Sequence, residues 1–152
     1  MEAKKRAIYG SPGGAASTLA LSGLRRLMNR AGLVHETAPQ QVVARLEELD
    51  LIGERSAGTR RVLILAAHYA YGAGAGAAFG ILRRERGGLA SETAVGSALG
   101  VLSWGSGWST WLPLLGVHAA PWAQKTPRVL LPVIDHAFFG AVWGIVRHLS
   151  TR

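Results

Sequence analysis

The sequence predicts an all-α integral membrane protein. We expect a four-helix bundle made of two related helix pairs with glycine-ridge packing, plus one amphipathic helix outside the membrane. Three observations lead there. Val62 to Leu82 is an uncharged run of 21 residues between Arg60-Arg61 and Arg83-Arg84, and as a helix it is long enough to cross the ~30 Å of hydrocarbon in a bilayer. Within it His68, Gly72, Gly76 and Gly80 fall four residues apart, along one ridge of that helix. The same spacing returns at His136, Gly140 and Gly144, and again at Glu92, Gly96 and Gly100.

The composition fits such a protein. Of 152 residues, 49% are hydrophobic, only 17% are charged, and 20 are Gly. Ala and Gly contribute little transfer energy each, so a plain hydropathy scan understates the apolar character. The absence of Cys excludes disulfide scaffolds, thiolate metal sites and Cys nucleophiles. A formal charge of +8 invites a nucleic-acid reading. The cations sit instead in runs flanking uncharged segments (Lys4-Lys5-Arg6, Arg25-Arg26, Arg60-Arg61, Arg83-Arg84-Arg86), the distribution of loops at lipid headgroup level. The bilayer is therefore the expected partner, and nucleic acid is not.

A single membrane domain over 1–152 is expected, with spans at about 8–26, 62–82, 89–111 and 129–147. The first begins near Pro12, a residue tolerated in a first helical turn, and has Gly14, Thr18 and Ser22 four apart on one side. No small-residue cleavage site marks it as a signal peptide. Between the first and second spans, Thr37, Pro39 and Gln40 read as a helix start with capping-box spacing. Val42, Val43, Leu46 and Leu49 then form an apolar stripe, giving an amphipathic helix at about 38–52 on the bilayer surface or against the bundle end. The third span ends at Pro113 within a segment rich in Trp104, Trp108, Trp111 and Trp122, which reads as a belt of interfacial anchors. A loop with Pro121, Pro127 and two cations leads into the fourth span. Lys and Arg are nearly balanced between the two faces, so orientation rests on a lean toward both termini in the cytoplasm.

Three motifs carry a resemblance. The stretch His68 to Ala73 reads H-x-x-[YF]-G-A, His136 to Ala141 repeats it, and Trp111 to Trp122 reads W-L-P-x-x-G…P-W. Together, over about residues 60 to 148, they resemble the YagU-like inner-membrane proteins of bacteria. The resemblance implies four spans, location in the bacterial inner membrane and, from one member, a link to survival in acid. It implies no catalytic residues.

In lipid, rows of Gly let backbones approach closely, so Gly72-Gly76-Gly80, Gly96-Gly100 and Gly140-Gly144 are read as helix seams, within one chain or between chains. Gly72, Gly74 and Ala77 also match the G-x-G-x-x-A dinucleotide fingerprint, but no alternating strand and helix pattern follows and no cofactor is expected. The ionisable residues inside the spans are His68, Glu92, Asp135 and His136, which in a bilayer mark either function or an interhelical bond. Helix direction divides them. His68, Asp135 and His136 share one depth, whereas Glu92 lies toward the other face, near Gly80, Arg84 and His148. Either the histidines, with Asp135, exchange protons as pH falls, or they are neutral hydrogen-bonding glue. No metal-ligand spacing and no catalytic triad stands out, so an enzyme is not expected. Two functions follow: an accessory or structural protein that packs through glycine ridges with itself or another membrane protein, or a proton-responsive channel or transporter component.

Overall fold

A computed structural model describes residues 2–33 and 37–150, without the side chains of 126–128; Pro127 and Arg128, expected in the last loop, belong to its final helix. Five helices make up the described fold: α1 (Ala3–Arg30), α2 (Ala38–Glu48), α3 (Ala57–Leu82), α4 (Leu89–Ser106) and α5 (Thr126–Leu149). No strand is present among the described residues. The VLILA run that begins the dinucleotide-like motif belongs to the continuous helix α3. By length and composition, α3 and residues Val129–Leu149 of α5 are able to cross a membrane.

The long helices associate as α1 with α3 and α4 with α5, and bare backbone decides both pairings. A Cβ placed on Gly76 would lie 2.5 Å from the Gly10 carbonyl oxygen and 2.7 Å from both Cα and N of Gly14. One on Gly14 would meet Gly76 Cα at 3.0 Å, and one on Gly72 would collide with the Thr18 hydroxyl. Gly80 is as tightly placed against the Arg6 carbonyl. The second pair repeats the arrangement. A Cβ on Gly100 would meet Gly140 Cα at 3.2 Å, one on Gly140 would meet Gly100 N at 3.0 Å, and Gly96 and Gly144 face Gly140 and Glu92 carbonyls.

Hydroxyls in the α1 seam are disposed of locally. Ser17 Oγ donates to the Gly13 carbonyl at 2.8 Å and Thr18 Oγ1 to the Gly14 carbonyl at 3.0 Å, so neither demands a partner across the gap. Where the two pairs meet, side chains fill the space. Trp143 stands edge-on to Phe79 with ring centroids 5.4 Å apart, Phe79 packs on Phe139, and Trp143 Nε1 donates to the Gly10 carbonyl at 3.2 Å.

Some polar side chains are buried beside the ring core, and large apolar ones are exposed on every long helix. Ser17, Thr18 and Glu92 are at most 1% exposed, whereas Leu19, Leu65, Leu102 and Ile134, one on each long helix, are more than half exposed. Only 17% of the most apolar window of α3 and 33% of that of α5 is buried inside the fold. Most of each window is therefore at the surface of the fold.

Two expected helix boundaries are corrected. The first helix starts at Ala3, with Pro12 inside it. Pro12 sits on the exposed side while Gly10, Gly13 and Gly14 are held on the other, and Ser11 Oγ donates to the Ala7 carbonyl at 3.1 Å in the turn that Pro12 weakens. Pro113 does not end the third helix. The chain widens into a π turn over Gly107–Trp111, closed by Leu112 N–H on the Gly107 carbonyl, and passes through Pro113 to Leu114. Gly116, at φ +69°, then stops it, with Val117 N–H reaching back to the Leu112 carbonyl at 3.0 Å. Wide turns of this kind accommodate a missing N–H without breaking the helix.

Helix α2 begins as its sequence suggests: Gln40 Oε1 accepts from Thr37 N–H at 2.7 Å. It lies against the bundle end with Val43 buried, held by Arg60 to Glu47 at 3.2 Å and by Arg45 Nε to the Leu115 carbonyl at 2.9 Å.

The seams set an expectation for stability. Gly76→Ala forces backbone atoms apart and should cost about 1–3 kcal/mol, the usual range for overpacking. Gly74→Ala, with nothing within 4 Å of its new methyl, should be neutral or stabilising by up to ~1 kcal/mol from helix propensity. Unfolding followed by circular dichroism in mild detergent separates them; equal stability of the two variants would mean that the helices do not meet along Gly76.

Candidate functional site: two buried charged clusters

The first cluster lies where α1, α3 and α5 converge beneath α2. Arg25, in the last part of α1, donates from Nε to Asp135 Oδ2 on α5 at 2.8 Å, with side chains only 11% and 4% exposed. Next to Asp135, His136 donates from Nδ1 to the Pro132 carbonyl at 2.8 Å. A carbonyl only accepts, so Nδ1 carries the proton and Nε2 is the nitrogen left for other partners. The ring stands edge-on to Tyr71 and Trp108, with centroids 6.5 and 6.3 Å away. Tyr71 in turn shares a 2.6 Å hydrogen bond with Ser103 Oγ of α4.

Arg25, His68 and His136 line one cavity of about 120 Å³, whose walls include Leu21, Phe139, Tyr71 and the rings of Trp104 and of Trp108 and Trp111 in the π turn, with Ala38, Pro39 and Val42 of α2 over it. Three polar atoms in this region are buried without a hydrogen-bond partner: Trp104 Nε1, Trp108 Nε1 and Asp135 Oδ1. The cluster thus joins a buried ion pair to two imidazoles beside an aromatic-walled space large enough for several water molecules.

The tryptophans divide. Trp122 and Trp111 are exposed, but Trp108 is buried and lies against His118 at 4.4 Å between centroids, with Trp104 half-buried beside it. The π turn carries Trp108 inward with Leu112, into the protein rather than toward a headgroup layer.

Glu92 occupies the second cluster, toward the opposite end of α4. Its Oε1 accepts from Gly87 N–H at 2.6 Å and from Arg83 Nη2 at 3.3 Å, and its Oε2 accepts from Arg147 Nη1. Arg147 also donates to the carbonyls of Arg83 at 3.2 Å and Glu85 at 3.1 Å and lies over the Trp143 ring at 5.8 Å. The partners are thus Arg83 and Arg147, one residue earlier in each case than the neighbours Arg84 and His148 named from sequence. This carboxylate closes the turn between α3 and α4 onto the end of α5.

Four contributors escape a reading of the sequence alone: Arg25, Arg147, Gly10 and Trp143. Arg25 had a signal, since Gly14, Thr18, Leu21 and Arg25 recur at helical spacing on one face. Glycines at 72, 76, 80, 96, 100, 140 and 144 all lie in the two seams rather than in either cluster. Among the described residues no group of three or more His, Asp or Glu is placed to hold a metal ion.

The ion pair makes a sharp expectation. Arg25→Ala leaves a buried carboxylate unpaired and should cost about 3–5 kcal/mol, whereas Arg25→Leu combined with Asp135→Leu should restore most of that loss. A double-mutant cycle on unfolding in detergent checks it, and a stable Arg25→Ala protein would contradict the pairing. No protein family, curated protein or solved structure matches the chain, so the resemblance to YagU-like proteins stands on its three motifs alone.

Proposed function

We propose that this chain is a small multi-pass protein of the bacterial cytoplasmic membrane, with α1, α3, α4 and α5 crossing the bilayer as two glycine-packed pairs. Its working part is the chamber of Arg25, His68, Asp135 and His136, acting as the proton-responsive element of a channel or transporter. The observation that carries this reading is the convergence of four charged or titratable side chains from three helices beside one cavity. Intramembrane ionisable groups are costly and are kept mainly where they move ions or bind helices together. The outward-facing Leu and Ile on all four long helices support the membrane setting. The YagU-like motifs agree with it.

A second reading, a structural or accessory role in a larger membrane assembly, is favoured by one observation: each buried carboxylate is already paired with Arg from another segment. Under that reading the charges are fasteners. Because the glycine ridges are used within the chain, contact with other proteins would rely on its outer side chains.

The chain should remain with membranes through an alkaline wash and leave them only with detergent. In proteoliposomes, lowering external pH should produce ion or proton flux that His68→Ala with His136→Ala removes. Flux unchanged in that variant rejects the proton-responsive reading. A wild-type protein that carries no flux but is pulled from its membrane with a stoichiometric partner establishes the accessory one.

A further inference from the structure

The chamber beside Arg25 holds donors that the protein does not answer. Trp104 of α4 and Trp108 of the π turn both border it, and the indole Nε1 of each is buried with no acceptor among the described residues. Trp108 as a whole is only 8% exposed. An indole N–H donates and never accepts, so only an acceptor satisfies it, and leaving it dry is unfavourable. Hydroxyls at the same walls are provided for: Thr18 Oγ1 donates to the Gly14 carbonyl at 3.0 Å, and Tyr71 pairs with Ser103 Oγ at 2.6 Å. The unmet need belongs to the two indoles, whose rings lie 28° from parallel with centroids 6.5 Å apart.

Charge and size narrow what answers them. Arg25 is the one fixed charge lining the chamber among the described residues, and Asp135 already holds it at 2.8 Å. A ligand cation would meet the guanidinium. A ligand anion would bring a second negative charge to a balanced pair, and an imidazole would have to take up a proton to meet it. A neutral ligand raises neither difficulty. Its body is flat and apolar, because rings make up much of the wall: Tyr71, Trp104, Trp108, Trp111 and Phe139. The space is about 120 Å³, and a cavity of ~150 Å³ holds one benzene. One six-membered ring is the match.

We infer that this chamber binds a single neutral ring bearing carbonyl oxygens, the chemistry of a benzoquinone head group, with Trp104 and Trp108 donating to those oxygens. A carbonyl supplies the acceptor that the indoles lack and adds no charge beside Arg25. The inference shares its cavity with the proton-responsive reading, but it needs neither flux nor protonation of His68 or His136.

The test is equilibrium dialysis of the full chain in non-ionic detergent against protein-free micelles of the same detergent. Probes are para-xyloquinone, para-xylene, which keeps the ring and methyls but lacks the oxygens, and para-toluate, which carries a carboxylate. The quinone should bind roughly tenfold more tightly than para-xylene, the scale of hydrogen bonds to otherwise unsatisfied donors. Trp104→Phe with Trp108→Phe should lose that advantage while para-xylene still binds, and Trp122→Phe, at an exposed ring, should keep it. Equal binding of quinone and para-xylene by the unaltered chain, or an advantage that survives in the Trp104/Trp108 variant, overturns the inference. Para-toluate bound more tightly than the quinone overturns the neutral assignment in favour of a carboxylate met by a protonated imidazole. Should the double variant lose its helical circular dichroism, Ala67→Leu, which fills the chamber from α3, takes its place; it should exclude the quinone, and undiminished binding overturns the inference. Quinone binding without flux rejects the proton-responsive reading alone, and flux without quinone binding rejects this inference alone.

Discussion

The structure depends on one close approach: peptide backbone lying directly on peptide backbone, with no side chain between. Along α1 and α3 the approach runs through Gly10, Gly14, Gly72 and Gly76, and along α4 and α5 through Gly96, Gly100, Gly140 and Gly144. Backbones packed this closely gain dispersion and weak contacts along the seam; on the membrane reading proposed above, where hiding Leu gains little, these contacts supply much of the attraction. Small residues line the seams, and the large buried rings, Phe79, Phe139 and Trp143, stand between the two pairs. Backbone contact also explains how helices of low apolar content, such as the Gly- and Ser-rich α1, still have a defined place.

Close seams restrict where charge is placed. Side chains on the glycine ridges are excluded, so ionisable groups are displaced to the ends of the seams, where helices separate enough to admit them. Arg25 and Asp135 fill one such opening, and Glu92 with Arg83 and Arg147 fills another. Both clusters therefore follow from the same geometry: the glycines bring helices together, and the charges occupy what remains. The two clusters divide the work: Arg25 and Asp135 bridge α1 to α5, which no glycine seam joins, whereas Glu92 fastens the end of the α4–α5 seam to the α3–α4 turn.

Much of this was legible in the sequence because Gly every fourth residue leaves a mark that survives without knowledge of the fold. The pairing of spans, the start of α2 at Thr37 and the different depths of Glu92 and His136 all follow from spacing and chain direction. Cross-helix partners were less accessible. Arg25 and Arg147 look like ordinary flanking cations until their helices are docked, and nothing local to either names a carboxylate more than fifty residues away. Prolines misled for a different reason. Pro12 and Pro113 each remove a hydrogen bond, but in one case neighbouring glycine contacts hold the helix and in the other a wide turn absorbs the defect. The buried position of Trp108 comes from that wide turn, which no residue pattern announces.

The joint between the two helix pairs differs in kind from the seams. It is made of interlocking rings, Trp143 against Phe79 and Phe139, and of the long side chain of Arg25. Backbone pressed on backbone leaves no room to adjust, whereas rings tilt and an arginine swings on several rotatable bonds. The molecule is thus a pair of stiff ribs hinged along a compliant line, and the histidine-lined cavity lies on that line.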